Sequence, residues 1–373
     1  MQIIVDLRAL AGEQISGVKI YLQNLLAELA RSDKKNRYFL WFNSATEKFP
    51  DLAIPRSPRF KKIRTRFSNR VLNLKLGLTG GPALDELILA SAHRSERADL
   101  FWLPDPRPVA LSANCKLVAT FHDLAPMRFP QFFSRKTQLW HKFINLKKIA
   151  RKADRILAVS EFTRSELESF WHIPAEKIAV TPLAAKISPQ KSFPKNLPKR
   201  FILALSTLEP RKNLPTLLRA FAELQQEKKE KIELLIAGEF DSKIFADPAI
   251  VATPGVRFLG KISEEEKAGL LARAEVFCFP SLYEGFGLPP LEAAAAGRPI
   301  LAADIPPLRE ILGDAAQFIA PQNRDAWCVG LAKILASKKL QRQLSRAAKA
   351  RAKNFSWQKT ARKTLKAFEN AVK

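Results

Sequence analysis

Residues 277–302 of the chain read FCFPSLYEGFGLPPLEAAAAGRPILA and carry the pattern that decides the fold. An apolar run ends at Pro280–Ser281, and a loop containing Gly285 and Gly287 then leads into a helix with prolines at its start. Proline is tolerated in the first helical turn because those N–H groups have no helical partner. The two glycines permit positive φ and a close backbone approach. The stretch therefore predicts a strand, a tight loop, a helix and a second strand in succession.

The same alternation of short strands with amphipathic helices extends in both directions from this stretch. In the first half of the chain the strand candidates are QIIVDL, YFLWF, FKKIRTR, DLFWLP, KLVATF, DRILAVS and KIAVTPL. In the second half they are RFILALS, KIELLIAG, VRFLG, AEVFCFPS, RPILAAD and AQFIA. Helices fit between them, for example over 18–30, 213–228, 263–273 and 305–312. Strands that alternate with helices indicate parallel sheets with helical crossovers.

The chain of 373 residues is long enough for two domains, since a single core usually stops growing at about 250–300 residues. The alternation is interrupted over 187–200, a stretch rich in proline and basic residues that is typical of a linker. We therefore predict an α/β protein with doubly wound domains over 1–186 and 201–354. A C-terminal helix over 355–373 is expected to pack back on the N-terminal domain. In doubly wound sheets, ligands bind beyond the carboxyl ends of the strands.

The charge of the chain is strongly positive and unevenly distributed. Its formal net charge is +26. Residues 56–75, 135–152 and 333–373 account for all of it, with eight, seven and thirteen Lys or Arg and a single acid, Glu369, so the rest of the chain is close to neutral. Such stretches attract polyanions, including nucleic acid and anionic lipid, although solvated helix faces have the same composition. Both interpretations stay open from the sequence.

The first basic stretch also contains apolar side chains that suit a lipid surface. These are Phe60, Phe67, Val71, Leu72 and Leu74. With the eight cations they make residues 56–75 a candidate for docking on an anionic membrane. No apolar run approaches the length of about 18 residues that a membrane-spanning helix needs, and the start MQIIVDLRAL is too polar for a secretory leader. The sequence therefore predicts a cytoplasmic protein, peripheral on the inner face of the membrane.

Two carboxylates accompany the loop that contains the two glycines. Glu284 lies on the loop and Glu292 about one turn into the following helix, so both can face one crevice. A carboxylate accepts hydrogen bonds from sugar hydroxyls, and one carboxylate can hold a cis-diol through two of them. The free N–H groups and the dipole at the helix start add a site for phosphate. The loop and helix therefore offer acceptors for hydroxyls beside donors for phosphate.

The segment PSLYEGFGLPPLEAAAAGRP (280–299), with seven residues between the two glutamates, resembles the signature of the retaining glycosyltransferases of family 4, which have the GT-B fold. Collinear similarity to this family continues in SGVKIYLQNLL (16–26), FHDLAPMRFP (121–130), VSEFTRSEL (159–167), LSTLEPRKNL (205–214) and VRFLGKIS (256–263). The resemblance implies two Rossmann-like domains that face each other across a cleft. It places the nucleotide-sugar donor in the C-terminal domain and the acceptor mainly in the N-terminal domain.

The resemblance also implies roles for individual residues. Glu292 would hold the nucleotide ribose, and Glu284 would hold hydroxyls of the donor sugar. Arg211 and Lys212 would grip the diphosphate. Cations are disfavoured at a helix start, which argues against a merely structural role for that pair. The donor-binding loop of the motif further comprises Gly285, Phe286, Gly287 and Leu288.

In the N-terminal domain the resemblance implies that His122, at the end of a strand, contacts the transferred sugar. A structural role is the alternative, because single histidines often pack in cores. The resemblance also places Asp123 and Gly17 at the donor. The sequence departs from the family in the loop of Gly17, where Ile15-Ser16-Gly17-Val18-Lys19 has one glycine in place of the usual Gly-x-Gly.

Several enzyme classes are excluded by motifs that the sequence lacks. The chain has no Asp-x-Asp, with which glycosyltransferases of the other major fold hold a divalent ion, no GxxxxGK[ST] and no GxGxxG. Arg211 and Lys212 are expected to replace a metal by fixed charge. We predict a retaining hexosyltransferase that needs no metal, cofactor or specific nucleic acid and moves mannose from GDP-mannose to a saccharide or lipid-linked acceptor. The alternatives are a related sugar epimerase and a non-catalytic GT-B scaffold that binds polyanions.

Overall fold

The structure is a computed structural model that describes residues 1–11, 17–46, 48–78, 80–186, 194, 196–207, 209–228, 232–238 and 253–373. The chain forms two compact units. The first unit is Met1–Leu183 together with Trp357–Lys373, and the second is Ala184–Ser356. Most of the predicted linker, residues 187–193 and 195, lies outside the described residues.

The described residues of the first unit form one parallel sheet. Its strands are β1 (Gln2–Asp6), β2 (Arg37–Asn43), β3 (Phe60–Thr65), β4 (Leu100–Leu103), β5 (Lys116–Phe121), β6 (Arg155–Ala158) and β7 (Ile178–Val180). They are ordered β3-β2-β1-β4-β5-β6-β7, and every neighbouring pair is parallel. The chain order reverses between β1 and β4. This is the arrangement of a doubly wound, Rossmann-like sheet.

Helices connect these strands. They are α1 (Gly17–Ser32), α2 (Asn69–Leu78), α3 (Leu84–Ser91), α4 (Ala125–Arg128), α5 (Arg135–Ile144), α6 (Leu146–Lys152) and α7 (Glu161–Trp171). The predicted apolar stripe of α1 is buried, since Leu22, Leu25, Leu26 and Leu29 have no exposed surface. Ser160 caps the start of α7, because the amide of Thr163 donates to Ser160 Oγ at 2.9 Å. The 3.6-residue periodicity thus located α1 correctly.

The second unit repeats this architecture. Its strands are β8 (Phe201–Leu205), β9 (Glu233–Ala237), β10 (Val256–Gly260), β11 (Val276–Phe279), β12 (Ile300–Ala303) and β13 (Gln317–Ile319). They form a parallel sheet in the order β10-β9-β8-β11-β12-β13. Its helices are α8 (Leu214–Lys228), α9 (Glu264–Arg273), α10 (Leu288–Ala295), α11 (Pro306–Leu312), α12 (Arg324–Ala336) and α13 (Lys338–Ala352). The predicted alternation of strands and helices is therefore confirmed in both halves.

The last helix, α14 (Trp357–Val372), belongs to the first unit. The ring of Phe368 is buried against Trp102 of β4, with ring centroids 5.5 Å apart. The hydroxyl of Thr360 donates to Pro182 O beyond β7. The chain thus returns from the second sheet to cover the first. Among the helices of the described ranges, none is long and apolar enough to span a membrane.

The basic stretch 56–75 does not form the single surface that its composition predicted. It contains β3 and most of α2, and the sequence pattern had assigned no helix there. Leu72 is buried in the core of the first unit, and Phe60 stacks on Tyr38 at 4.4 Å between ring centroids. The inclusion of Leu72 among the membrane-docking residues is therefore wrong, whereas that of Phe60, which is half-buried, stays a prediction. Composition cannot separate the two faces of a helix that has apolar side chains on both.

Candidate functional site

The loops that follow β8 and β11 lie side by side at the carboxyl edge of the second sheet. These strands are paired, with Ile202 opposite Val276. The strand order reverses here, since β9 flanks β8 on one side and β11 flanks it on the other. Such a switch point opens a crevice between the loops of a doubly wound sheet. The amide of Leu282 donates to Arg211 O at 2.8 Å and ties the two loops together.

Unusual backbone conformations fix the shape of these loops. Gly287 has a φ of 106°, and a Cβ there would lie 2.7 Å from the Leu308 side chain. Gly238, which follows β9, would place a Cβ 1.9 Å from Ser206 O. Both positions therefore require glycine. Asn213 adopts the left-handed conformation with φ 53°. Its side-chain amide donates to Pro280 O, directly after β11, at 3.1 Å. The loops are held rigidly before any ligand arrives.

Arg211 and Lys212 converge on Glu284. Lys212 Nζ lies 2.6 Å from Glu284 Oε1, and Arg211 Nη1 lies 3.1 Å from Glu284 Oε2. The guanidinium also contacts Glu209 Oε2 at 3.2 Å and Tyr283 O at 3.2 Å. A planar group with several oxygen partners is fixed in orientation. Three residues predicted from separate motifs therefore form one preorganised cluster.

The carboxylates of this cluster are ionised at neutral pH. Burial of Glu284 opposes ionisation, but the charges of Lys212 and Arg211 outweigh it and lower the pKa of Glu284 below its ordinary value. Burial also opposes the ionisation of Glu209, and the charges of Arg211 and Lys212 lower its pKa in the same way. Two acids thus balance two bases. Glu209 was missed by the sequence reasoning, although it lies two residues before Arg211.

Glu292 lies on α10 and is only 4% exposed. Lys267 of α9 holds it, with 2.8 Å between Nζ and Glu292 Oε1, and also contacts Glu264 Oε2 at 2.9 Å. Burial raises the pKa of Glu292 to about 6, although the charge of Lys267 opposes the rise. Burial opposes the charge on Lys267, but both glutamates outweigh it and raise the pKa of Lys267. The sequence gave no sign of this partner, because it lies on a different helix.

The start of α10 offers fewer amide donors than a helix start normally does. Pro289 and Pro290 follow its first residue and carry no N–H. The amides of Phe286, Gly287 and Leu288 donate no hydrogen bond to any described residue. These three, and not a whole first turn, are available to an anion. The phosphate site predicted at the start of this helix is therefore limited to these three amides.

His122 lies in the first unit, directly after β5. Its Nε2 is 2.8 Å from Pro104 O in the loop after β4. Because a carbonyl only accepts, Nε2 carries the proton in this contact. The imidazole also packs edge-on against Tyr21, with 5.0 Å between ring centroids. The ring is therefore held in one orientation at the carboxyl edge of the first sheet.

Asp123 and Gly17 also belong to the first unit. Asp123 Oδ1 accepts a hydrogen bond from Ala125 N at 2.9 Å, so this carboxylate supports the start of α4. That contact gives Asp123 a structural role, and its donor-binding role stays a prediction. Gly17 begins α1 and is exposed, while residues 15 and 16 of its loop lie outside the described residues. The contact between this loop and phosphate is therefore a prediction as well.

Arg211 and Lys212 are the cations that contact Glu284 among the described residues of the second sheet's carboxyl edge. No group of three or more His, Cys, Asp or Glu that could hold a metal ion occurs in the portion of the chain that the structure covers. Independence from a metal stays a prediction.

Family models match almost the whole chain. The model of Glycosyltransferase Family 4 covers residues 15–186, and that of Glycosyl transferases group 1 covers residues 187–351. The O-antigen chain mannosyltransferase B of Escherichia coli is 30% identical over 268 residues, which are 68% of this chain and 70% of that protein. The chain belongs to glycosyltransferase family 4. The predicted activity class is thus confirmed, and this family 4 protein is a glycosyltransferase.

A second relative is the MMP alpha-(1->4)-mannosyltransferase of Mycolicibacterium hassiacum. It is 32% identical over 241 residues, which are 62% of this chain and 58% of that protein. The family 4 chain thus spans somewhat more than half of this relative.

Solved structures share the fold along the whole chain. Sucrose-phosphate synthase of Thermosynechococcus elongatus has a TM-score of 0.75 at 20% identity, covering 99% of this chain and 98% of that one. Anabaena Alr3699/HepE, solved in complex with UDP and glucose, has a TM-score of 0.70 at 18% identity, covering 99% of each chain. The predicted GT-B class of two Rossmann-like units is confirmed.

Proposed function

We propose that this glycosyltransferase moves a hexose from a nucleotide sugar to a saccharide or lipid-linked acceptor, with retention of anomeric configuration and without a divalent metal or cofactor. The convergence of Arg211, Lys212 and Glu284 at the switch point of the second sheet carries the proposal. GDP-mannose is the proposed donor, because the named relatives from E. coli and M. hassiacum are mannosyltransferases.

Donor binding proceeds by an exchange of partners within the cluster. Before the donor binds, Glu284 and Glu209 together neutralise Arg211 and Lys212. The entering diphosphate takes the two cations, and Glu284 accepts hydrogen bonds from the hydroxyls of the sugar. The free amides of Phe286 and Gly287 add donors for the phosphate oxygens. Each buried charge keeps a partner, which avoids the large penalty of an unpaired one.

Glu292 holds the ribose of the donor. Its two oxygens accept from the two hydroxyls of a cis-diol, and only the ionised carboxylate offers both as acceptors. With a pKa of about 6, Glu292 is mostly ionised at neutral pH. Lys267 keeps the buried carboxylate oriented and partly neutralised at 2.8 Å.

Transfer breaks the bond between the anomeric carbon and a diphosphate oxygen, and negative charge grows on the leaving diphosphate. Arg211 and Lys212 stabilise that charge more strongly in the transition state than in the ground state, which is what accelerates the step. A hydroxyl oxygen of the acceptor attacks the anomeric carbon from the face on which the diphosphate departs and forms the new glycosidic bond. Its proton passes to the departing diphosphate oxygen, so no side chain serves as a covalent nucleophile. His122 contacts the transferred sugar in this scheme.

The enzyme is proposed to act in the cytoplasm, on the inner face of the membrane. The basic stretches of the first unit support this location, since each Lys or Arg near an anionic bilayer contributes roughly 1 kcal/mol. A lipid-linked acceptor would be presented at the same surface.

A thermal-shift screen of GDP, UDP, ADP and dTDP tests the donor. A nucleotide at 100 times its Kd stabilises the unit that binds it by about 2.7 kcal/mol, which raises its Tm by about 5–10 °C. GDP is expected to give the largest shift. A larger shift with another nucleotide would overturn the choice of GDP-mannose, and NMR of the product sugar would show whether the anomeric configuration is retained.

A further inference from the structure

Two basic helices, α2 and α5, touch on the first unit. A Cβ added to Gly77 of α2 would lie 2.4 Å from Cζ of Phe143 on α5, so the aromatic ring covers the bare glycine backbone. This contact brings the exposed parts of the basic stretches 56–75 and 135–152 together on one surface, which we call the α2–α5 face. Its cations are Arg66, Arg70, Arg135, Lys136 and Lys142, all of them exposed. Its apolar members are Phe67, Val71, Leu74 and Leu139.

The apolar side chains of this face are unusually exposed. Leu139 is 66%, Val71 54%, Leu74 53% and Phe67 44% exposed. They are four of the seven exposed large hydrophobic residues among those described in the structure. Leu76, on the opposite side of α2, is buried in the core, so the helix is anchored while its outer side stays apolar. A concentration of exposed apolar groups within one face indicates a partner with an apolar surface.

The same face is cationic and free of acids. Residues 56–75 and 135–152 contain no Asp or Glu. Directly after α5, the helix α6 borders a cavity of about 490 Å³ that is lined by Asn145, Lys147, Lys148, Arg151 and Lys152. Four cations around a concave site suit a phosphate group. The partner must therefore combine apolar groups with clustered negative charge.

We propose that the α2–α5 face docks the protein on a bilayer with anionic headgroups. Val71, Leu74 and their apolar neighbours enter the boundary between headgroups and acyl chains, while the surrounding cations contact lipid phosphates. The cavity along α6 takes one headgroup phosphate. Nucleic acid fits less well, because three of the four exposed apolar side chains are aliphatic, provide no platform for base stacking and would stay exposed to water. The docking rests on the membrane location proposed above and deepens it by naming the surface; its support is exposure and charge, not the transfer reaction.

Sedimentation with sucrose-loaded vesicles of phosphatidylcholine, with and without phosphatidylglycerol, tests the docking. The full-length protein is expected to pellet with anionic vesicles and to be released at 1 M salt, where the Debye length is about 3 Å. Val71→Ser with Leu74→Ser should lower the partition coefficient about tenfold, because two partly exposed apolar groups no longer leave water. Arg70→Glu with Lys142→Glu should lower it at least as much.

The matched control is Arg342→Glu with Arg346→Glu, which changes the net charge equally on exposed positions of α13 in the second unit. It should bind vesicles like the wild type. Equal binding to neutral vesicles, an equal loss in the control, or full binding by the serine pair would each overturn the proposal.

A parallel binding measurement with an oligonucleotide distinguishes a lipid partner from a nucleic-acid partner. The face would be assigned to nucleic acid by two results together. The wild type would bind an oligonucleotide tightly, and Arg70→Glu with Lys142→Glu would abolish that binding while vesicle binding persisted. Unchanged melting of all variants shows that they fold, as expected for exposed positions. Sedimentation needs neither donor nor turnover, so it stays informative if the proposed transfer reaction fails.

Discussion

Arg211→Ala should slow the transfer far more than it weakens donor binding. The guanidinium lies 3.1 Å from Glu284 and 3.2 Å from Glu209, and the side chain is only 14% exposed. Negative charge on the diphosphate grows toward the transition state, so the lost interaction is the one that lowers the barrier. Loss of one preorganised donor in such a site costs about 10²–10³ in rate, or about 2.7–4 kcal/mol.

Two further predictions for variants of Arg211 follow from the other contacts of the cluster. Without Arg211, Lys212 is the one remaining cation among the described residues that contacts Glu284, so the pKa of Glu284 should rise and the loss of turnover should deepen as the pH falls. Arg211→Lys should restore little, because a single ammonium cannot replace the two guanidinium nitrogens that reach Glu209 and Glu284.

Steady-state kinetics with varied donor, with and without EDTA, measure these effects. Arg309→Ala is the matched control, since this arginine forms an ion pair at 2.6 Å with Asp304 but is 54% exposed. It should leave kcat and KM unchanged. Normal kcat in Arg211→Ala would refute the role assigned to the guanidinium, and full inhibition by EDTA would refute metal independence.

Three further outcomes concern the second unit, and Gly17 of the first unit provides a control. Because Glu292 must be ionised to hold the ribose, the Kd for GDP should increase by up to about tenfold per pH unit below its pKa of about 6, as calorimetry would show. Lys267→Met removes the charge that opposes protonation, so the midpoint of that pH profile should move upward, whereas a merely structural defect would weaken binding equally at every pH. Gly287→Ala should lower Tm by about 3–6 °C, because the φ of 106° is strained for alanine and the methyl group meets Leu308. Gly17→Ala, where the added Cβ meets nothing within 4 Å, should leave Tm unchanged.

The sequence by itself determined most elements of the fold and much of the candidate site, although it missed α2. Helix and strand periodicities depend on near neighbours in the chain, so α1 and the strands around the glycine loop could be located from pattern alone. The spacing of Glu284 and Glu292 is also local, because it spans one loop and one helical turn. Composition could not show which apolar side chains of α2 are exposed, because that helix has apolar side chains on two faces. Leu72, for example, is buried in the core.

Only the tertiary structure decided which of these residues meet. Arg211 and Glu284 are 73 residues apart in sequence, and they touch because the strand order reverses between β8 and β11. Lys267 reaches Glu292 from a neighbouring helix, and Phe143 covers Gly77 from a helix far along the chain. Such pairings depend on how whole sheets and helices fit together. No local pattern encodes them, because the energy that selects them is summed over the entire core.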